Sequence, residues 1–242
     1  MDSYDQYATA SKATVWHGDG REKALQAHIL SQCSLRNQPE AILAEIDRWA
    51  TEKKICMMTI GPERSTPIMN LINSARPSTI AELGGYIGYS AIKFGNEMRR
   101  FGGTRYLSLE FSAEYAAVAN SLIEFAGLGD FVQVIVGLAS ESLGKVAEEL
   151  QTGIDVLFID HYERFYLSDL KAAEELGLLK AGAFVVADNI DAPGAKDYMQ
   201  WVEGRGDDFL TDEGRRFKYE SQRLPYMLPN GQQDALLISK LI

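Results

Sequence analysis

The sequence has little cysteine and no long apolar run. Its 242 residues include two cysteines, Cys33 and Cys56, and neither belongs to a CxxC pair or a Cys/His cluster. A disulfide framework and a structural zinc site are therefore excluded. No stretch approaches the roughly 18 uncharged apolar residues that a membrane span needs, and no apolar signal core follows the polar start of the chain. We expect a soluble protein of the cytoplasm.

Basic residues are also scarce. Lys and Arg number 24 against 34 Asp and Glu, a formal net charge of −10, and the longest basic runs are pairs such as Arg215-Arg216. This acidic balance repels a phosphate backbone, so we expect a small-molecule partner and no nucleic acid. The hydrophobic fraction of 46% is typical of a globular protein. Residues 1–16 lack periodicity and are predicted to form a flexible arm, and residues 17–242 a single domain.

The apolar pattern predicts two N-terminal helices followed by an α/β sheet. Apolar residues recur at spacings of three and four over 21–34 and 39–51, which is typical of amphipathic helices. Short apolar runs then alternate with helix-like segments, which predicts a parallel, doubly wound sheet. The predicted strands span 79–83, 106–109, 132–136, 155–159 and 184–187, and the helices span 89–100, 113–125, 140–150, 167–178 and 195–203. Segments 223–228 and 235–242 predict a hairpin across Pro229-Asn230-Gly231 that adds an antiparallel edge.

A glycine-rich turn follows the first predicted strand. Its glycines, Gly84, Gly85 and Gly88, have the spacing GGxxG rather than the GxGxxG of a nicotinamide-binding turn. Such a turn lets a ligand approach the backbone, and the next helix offers free N–H groups. Glu110 ends the second strand, where an acidic residue commonly holds ribose hydroxyls. Together these features favour a nucleoside-type cofactor over a turn that serves packing alone.

Oxygen donors follow the fourth and fifth predicted strands. Asp160 ends one strand, and Asp188 and Asn189 end the next. Since the carboxyl ends of parallel strands share one sheet edge, these side chains are predicted to be neighbours. Two carboxylates and an amide oxygen suit Mg²⁺ and leave coordination positions open. The alternative is that each merely caps the helix after it.

Several segments together resemble the catechol O-methyltransferase family. They are HGDGREKALQAHILSQ (17–32), MMTIGPERS (57–65), ELGGYIGYS (82–90), LSLEFS (107–112), FAGLGDFVQVIVGLAS (125–140), DVLFIDHY (155–162) and VVADNIDAPG (185–194). The likeness extends over residues 17–242. It implies a Rossmann-like class I methyltransferase fold that uses S-adenosylmethionine and Mg²⁺.

The resemblance also implies roles for individual residues. Ser90 lies at the position of the methionine carboxylate, Glu110 at the ribose hydroxyls, and the Ile60 backbone near the methionine group. The implied cofactor-binding set is Ile60, Glu82, Gly84, Tyr86, Ser90, Glu110, Phe111, Ser140, Glu141, Asp160 and His161. Asp160, Asp188 and Asn189 match the metal ligands, and Cys56, Met58, Tyr162, Pro193, Leu224 and Pro225 surround the substrate.

The departures from the family pattern all lie on the substrate side. Glu163 replaces a lysine that acts as general base, and Pro225 replaces a glutamate that holds the second catechol hydroxyl. Cys56 and Tyr162 replace two tryptophans that wall the catechol slot, so a bulkier acceptor is expected. Glu163 is the candidate base, with binding of a cationic substrate group or plain solvent exposure as alternatives.

We therefore expect an S-adenosylmethionine- and Mg²⁺-dependent O-methyltransferase acting on a vicinal-diol aromatic compound. Methyl transfer to an amine or a single phenol is one alternative, because the base and the second-hydroxyl contact have changed. A non-catalytic protein that binds S-adenosylmethionine is the other. The oligomeric state stays open.

Overall fold

The computed structural model describes residues 18–150, 152–204, 217–228 and 231–242. The eight helices in these ranges are α1 (Arg21–Leu30), α2 (Pro39–Lys53), α3 (Gly61–Ala75), α4 (Tyr89–Arg100), α5 (Ala113–Phe125), α6 (Ala139–Glu149), α7 (Tyr166–Glu175) and α8 (Lys196–Val202). The seven strands are β1 (Thr79–Leu83), β2 (Arg105–Glu110), β3 (Val132–Val136), β4 (Ile154–Ile159), β5 (Leu179–Ala187), β6 (Tyr219–Met227) and β7 (Gln233–Leu241). Short helical turns at Cys33–Leu35, Glu163–Phe165 and Ile190–Gly194 complete the described secondary structure.

The seven strands form one sheet in the order β3-β2-β1-β4-β5-β7-β6. The five strands β1 to β5 are parallel, and β7 runs antiparallel to both β5 and β6. The expected α/β fold with an antiparallel C-terminal hairpin is therefore confirmed. The strand order reverses between β1 and β4, which is the point where an open α/β sheet forms its ligand crevice.

Apolar packing covers both faces of the central strands. Along β4, Val156 and Phe158 pack with helices α1 to α5, whereas Leu157 and Ile159 pack with α6 to α8. All five residues of β1 are buried. This two-sided burial explains why the strand sequences are continuous apolar runs without a polar alternation.

Helix α3 is the main element that the periodicity did not predict. Its sequence contains Pro62 and Pro67, and proline is a weak helix former outside the first turn. Pro62 lies in the first turn, where its missing N–H costs nothing, while Ile68 and Ile72 are buried in the core. Tertiary packing therefore outweighs local propensity in this segment.

Other differences are shifts of element boundaries. The first helix ends at Leu30 instead of Ser34, and β5 and β6 begin at Leu179 and Tyr219, four or five residues earlier than predicted. Residues 1–16 and the turn residues Pro229 and Asn230 lie outside the described residues. Within the described ranges, no helix is both long and apolar enough to cross a membrane.

Candidate active site

A cavity of about 450 Å³ opens at the carboxyl ends of the central strands. Its walls come from the segment before α3, the glycine turn after β1, the end of β2, the segment between β3 and α6, and the segment after β4. The backbone ladder continues one residue past each strand, since Asp160 N–H donates to the Leu83 carbonyl and Asp188 N–H to the Ile159 carbonyl. This places the residues that follow β1, β4 and β5 side by side, as the sheet-edge argument predicted.

The glycine turn is held tightly between β2 and β4. Gly84 has φ +100°, and a Cβ atom there would lie 2.4 Å from the Asp160 carbonyl oxygen. Its N–H donates to the Leu109 carbonyl at 2.9 Å. A Cβ on Gly85 would lie 2.3 Å from Ser108 Oγ. Glycine is thus required at position 84, whereas a Cβ at position 85 would force the Ser108 hydroxyl to move. The same turn presents its backbone to the cavity.

Glu110 is a fixed hydrogen-bond acceptor at the cavity wall. Its Oε2 accepts from the Tyr86 N–H and its Oε1 from the Ser112 N–H, both at 2.7 Å. Burial raises the pKa of Glu110, and these backbone donors oppose that rise. Each oxygen keeps a further lone pair, so the carboxylate can accept hydroxyl donors from a ligand.

Glu82 supports the site from beneath. Its side chain is fully buried, does not line the cavity, and accepts from Ser90 Oγ at 2.6 Å and from the Tyr106 hydroxyl. Burial raises the pKa of Glu82 from 4.5 to about 7. Because Ser90 lines the cavity, the effect of Glu82 on a ligand passes through Ser90.

Two residues of α1 fasten the glycine turn and the segment before α3. The Tyr86 hydroxyl donates to Glu22 Oε1 at 2.7 Å, and Arg21 Nη1 donates to the Cys56 carbonyl at 2.7 Å. Helix α1 therefore holds two walls of the cavity in place.

Asp160, Asp188 and Asn189 form a group at the ends of β4 and β5. Asp160 lines the cavity, whereas Asp188 is fully buried. Asp188 Oδ2 forms an ion pair with Arg64 at 2.5 Å, and its Oδ1 accepts from the Tyr226 hydroxyl at 2.7 Å. Burial and the neighbouring carboxylate raise the pKa of Asp160. Burial raises that of Asp188, and Arg64 opposes this rise.

The donor chemistry of this group fits a hard divalent cation. Two carboxylates and the Asn189 carbonyl oxygen are the ligand types that Mg²⁺ prefers. Burial and repulsion from Asp188 raise the pKa of Asp160, and a bound cation would offset both. Among the described residues, no group of three or more His, Cys, Asp or Glu could hold a metal, so a site here would use the Asn189 oxygen beside the two carboxylates. The helix-cap alternative finds no support at Asn189, whose side chain makes no cap hydrogen bond.

Glu163 and its neighbours form the rim of the cavity. Glu163 is half-buried, and burial raises the pKa of its carboxyl. The Nε2 atom of His161 lies 2.7 Å from Asp169 Oδ2, which fixes the ring. Tyr162 and Phe111 are 58% and 72% exposed, so the rim presents two aromatic rings to solvent.

The structure brings most of the predicted residues to the cavity. Those that line it are Met58, Ile60, Gly84, Tyr86, Ser90, Glu110, Phe111, Asp160, His161, Tyr162 and Glu163. Those that do not are Glu82, Ser140, Glu141, Asp188, Asn189, Cys56, Pro193, Leu224 and Pro225. Cys56 is buried under α1, and Ser140 and Glu141 are exposed on the first turn of α6 while Gly137 and Ala139 face the cavity.

Sequence reasoning missed three polar residues beside the metal-type group. Arg64 and Tyr226 contact Asp188, and Asp234 accepts from the Asn189 amide at 2.9 Å. The signal for Asp234 was a single carboxylate next to the apolar run 235–238 of the predicted last strand. Arg64 carried no comparable signal, because the contact joins residues 124 positions apart.

Comparison with known proteins shows which family the chain belongs to. The model of a family described as O-methyltransferase matches residues 33–195. The chain is 33% identical to catechol O-methyltransferase from Bos taurus over 188 residues, which are 77% of this chain and 68% of that protein.

Solved structures share the fold at low sequence identity. An O-methyltransferase from Bacillus cereus, solved with S-adenosylhomocysteine (SAH), has a TM-score of 0.64 at 19% identity and covers 100% of this chain and 99% of its own. TomG from Streptomyces achromogenes, an O-methyltransferase of tomaymycin synthesis solved with S-adenosylmethionine (SAM), has a TM-score of 0.66 at 17% identity, with coverage of 100% and 99%. At these identities the likeness concerns the fold alone.

The buried Glu82 carboxyl predicts a pH-dependent stability. A carboxyl whose pKa is raised by folding stabilises the protein below its unfolded pKa, and that contribution is lost as pH rises through about 7. Gln cannot ionise. The free energy of unfolding of Glu82→Gln relative to wild type should therefore rise by up to about 3 kcal/mol between pH 5 and pH 8. Urea unfolding across this range measures it.

Glu175→Gln is the matched control, because this carboxyl is exposed at the end of α7. Its difference from wild type should not change over the same pH range. A Glu82→Gln difference that is equally flat would contradict the proposed cost of ionising Glu82.

Proposed function

The chain belongs to the O-methyltransferase family, and we propose that it transfers the methyl group of SAM to a hydroxyl of a catechol-like acceptor. In this proposal, Asp160, Asp188 and Asn189 hold a Mg²⁺ ion. The observation that carries the proposal is the juxtaposition of this oxygen-donor group with the glycine turn at one edge of the sheet. A methyl donor on the turn and a diol on the metal would then meet in one cavity.

The residues of the turn and of β2 are suited to hold the cofactor. Glu110, which two backbone N–H groups hold in place, accepts hydrogen bonds from the ribose hydroxyls. The methionine carboxylate is assigned to the free N–H groups of the first turn of α4, which favour an anion, and to Ser90, whose hydroxyl must turn from Glu82 to donate to it. When bound, SAM supplies an electrophilic methyl group on a sulfonium.

The residues at the ends of β4 and β5 are suited to hold Mg²⁺. When bound, the ion lowers the pKa of a coordinated hydroxyl and so favours the oxyanion nucleophile. Arg64 now neutralises Asp188 Oδ2, so a cation would compete with this guanidinium for that oxygen. The chain's own contribution is positioning, since methyl transfer needs the oxygen in line with the methyl group.

The acceptor is expected to be larger than a simple catechol. The exposed rings of Tyr162 and Phe111 offer stacking surface for an extended aromatic compound. The relative from Bos taurus is named for catechol, which supports the vicinal diol. Glu163 faces the cavity and is the group that takes the hydroxyl proton.

The Arg64–Asp188 ion pair favours a second candidate function. A guanidinium that already neutralises Asp188 permits methyl transfer to an acceptor that never touches a metal, such as an amine or a single phenol. We propose the cytoplasm as the location of either reaction; both cysteines are free thiols in the described structure, which suits a reducing compartment.

Chelation separates the two candidates. The protein is incubated with SAM and a panel of catechols, from small to polycyclic, with Mg²⁺ and with EDTA in parallel, and mass spectrometry counts the added methyl groups. We expect one added methyl group with Mg²⁺, little or none with EDTA, and faster turnover of the larger acceptors.

Single phenols and aryl amines serve as control acceptors, and calorimetry with SAH checks that EDTA leaves cofactor binding intact. Equal methylation in EDTA would contradict the metal and favour the second candidate. SAH binding without methylation of any acceptor would contradict the proposed acceptor classes.

Substitution of Glu163 tests its role as general base. Glu163→Gln should lower kcat by about 100-fold and change KM for the acceptor little, because proton transfer is lost and binding is kept. Since burial raises the pKa of Glu163, wild-type kcat should fall as pH drops through that pKa, and the variant should lack this dependence. Steady-state kinetics from pH 5 to pH 9 measure both effects.

Glu163→Lys distinguishes the base from a binding group for cationic substrates. A lysine is the residue at this position in the family that the sequence resembles, so a base role tolerates it. A cation-binding role predicts a higher KM for acceptors that carry an ammonium group and no change for neutral ones. Unchanged kcat and an unchanged pH profile in Glu163→Gln would rule out the base role.

A further inference from the structure

Asp234 is a fully buried carboxylate on the C-terminal hairpin. It lies near the start of β7, next to the buried apolar residues Ala235, Leu236 and Leu237, and pairs in register with Tyr226 on β6. Burying a charge at such a position is costly unless specific partners compensate for it. Its partners therefore indicate why a carboxylate is present.

The two oxygens of Asp234 have different partners. Oδ1 accepts from three backbone N–H groups, those of Asp191 at 3.1 Å, Ala192 at 3.3 Å and Ala235 at 2.7 Å. Oδ2 accepts from Nδ2 of Asn189 at 2.9 Å. The backbone contacts fix the orientation of the carboxylate, and Oδ2 is the oxygen that meets the Asn189 side chain.

We propose that Asp234 is a positioning residue that turns the Asn189 amide so that its carbonyl oxygen is presented to the cation. The inference rests on the proposed function, because it assigns the amide oxygen to a metal. A carboxylate can only accept hydrogen bonds, so the NH₂ group of Asn189 must face Asp234. The carbonyl oxygen then points away from Asp234. The hydrogen bond to Asp234 prevents the amide from turning over.

The strand partner of Asp234 acts on the other ligand. Tyr226 donates its hydroxyl to Asp188 Oδ1 at 2.7 Å, and the same hydroxyl lies 3.4 Å from Asn189 Nδ2. Two paired residues of the hairpin thus contact two consecutive candidate ligands. The hairpin thereby orients both candidate ligands that follow β5.

Asp234→Asn separates this role from support of the 190–194 turn. The three backbone N–H groups keep the oxygen of the new amide on their side, so its NH₂ group must face the NH₂ group of Asn189. Asn189 must then rotate and present NH₂ to the cation. The turn keeps its acceptor, while the metal loses a ligand.

The test measures metal binding directly. Free Mn²⁺ is titrated by electron paramagnetic resonance in wild type, Asp234→Asn, the double variant Asp234→Asn/Asn189→Asp and Asp191→Asn. Loss of an outer partner of a metal ligand weakens affinity by about 10–100-fold, and we expect this for Asp234→Asn. The double variant reverses donor and acceptor and keeps the total charge, so its affinity should return to within a few-fold of wild type.

Asp191→Asn is the charge-matched control. It removes one negative charge two residues from Asn189, and its carboxylate contacts Arg223, not the Asn189 amide. We expect its Mn²⁺ affinity to stay within a few-fold of wild type. Calorimetry with SAH verifies that every variant is folded.

The outcomes separate the inference from the proposed function. Wild-type affinity in Asp234→Asn, or equal losses in Asp234→Asn and Asp191→Asn, would overturn the positioning role and leave the metal in place. A double variant that stays as weak as Asp234→Asn would overturn it as well. A wild-type protein that binds SAH and no Mn²⁺ would overturn the metal itself and, with it, the inference.

Discussion

Four carboxylates crowd one edge of the sheet, and the surrounding structure compensates for their burial. Glu82, Glu110, Asp160 and Asp188 lie at or just after the ends of β1, β2, β4 and β5. Buried like charges raise one another's pKa, so each needs donors or a cation. Glu82 accepts hydrogen bonds from hydroxyl groups, and Glu110 accepts them from backbone N–H groups. Asp188 pairs with Arg64 and accepts a hydrogen bond from the Tyr226 hydroxyl. Burial and the neighbouring Asp188 raise the pKa of Asp160 well above its usual value.

The additions to the parallel sheet are explained by the same constraint. Helix α1 holds the turn and the segment before α3 through Glu22 and Arg21. Helix α3 brings Arg64 to Asp188, and the hairpin brings Tyr226 and Asp234 to the two residues after β5. These contacts hold the charged edge in place. That matters because small displacements of a reacting group are costly in a reaction that depends on positioning.

The fold and the centre of the site were predictable from the sequence, and the supporting contacts were not. Continuous apolar runs predict strands buried on both faces, and Asp160 and Asp188 follow such runs directly, so their place at the sheet edge needs only the topology. Helix α3 was missed because Pro62 and Pro67 mask a segment that packing stabilises. Arg64 and Asp234 act across 124 and 45 residues of chain, and contacts of that range arise only once the hairpin and α3 have docked.

In the proposed function, the methyl donor and the metal share one cavity. Proton relaxation of the SAM methyl group tests it most directly, with Mn²⁺ in place of Mg²⁺, because a paramagnetic ion speeds the relaxation of nearby protons. We expect fast relaxation of the methyl group in the presence of both protein and Mn²⁺, and loss of this fast relaxation in Asp188→Ala. Bound SAM whose methyl group relaxes no faster with Mn²⁺ than with Mg²⁺ would contradict it.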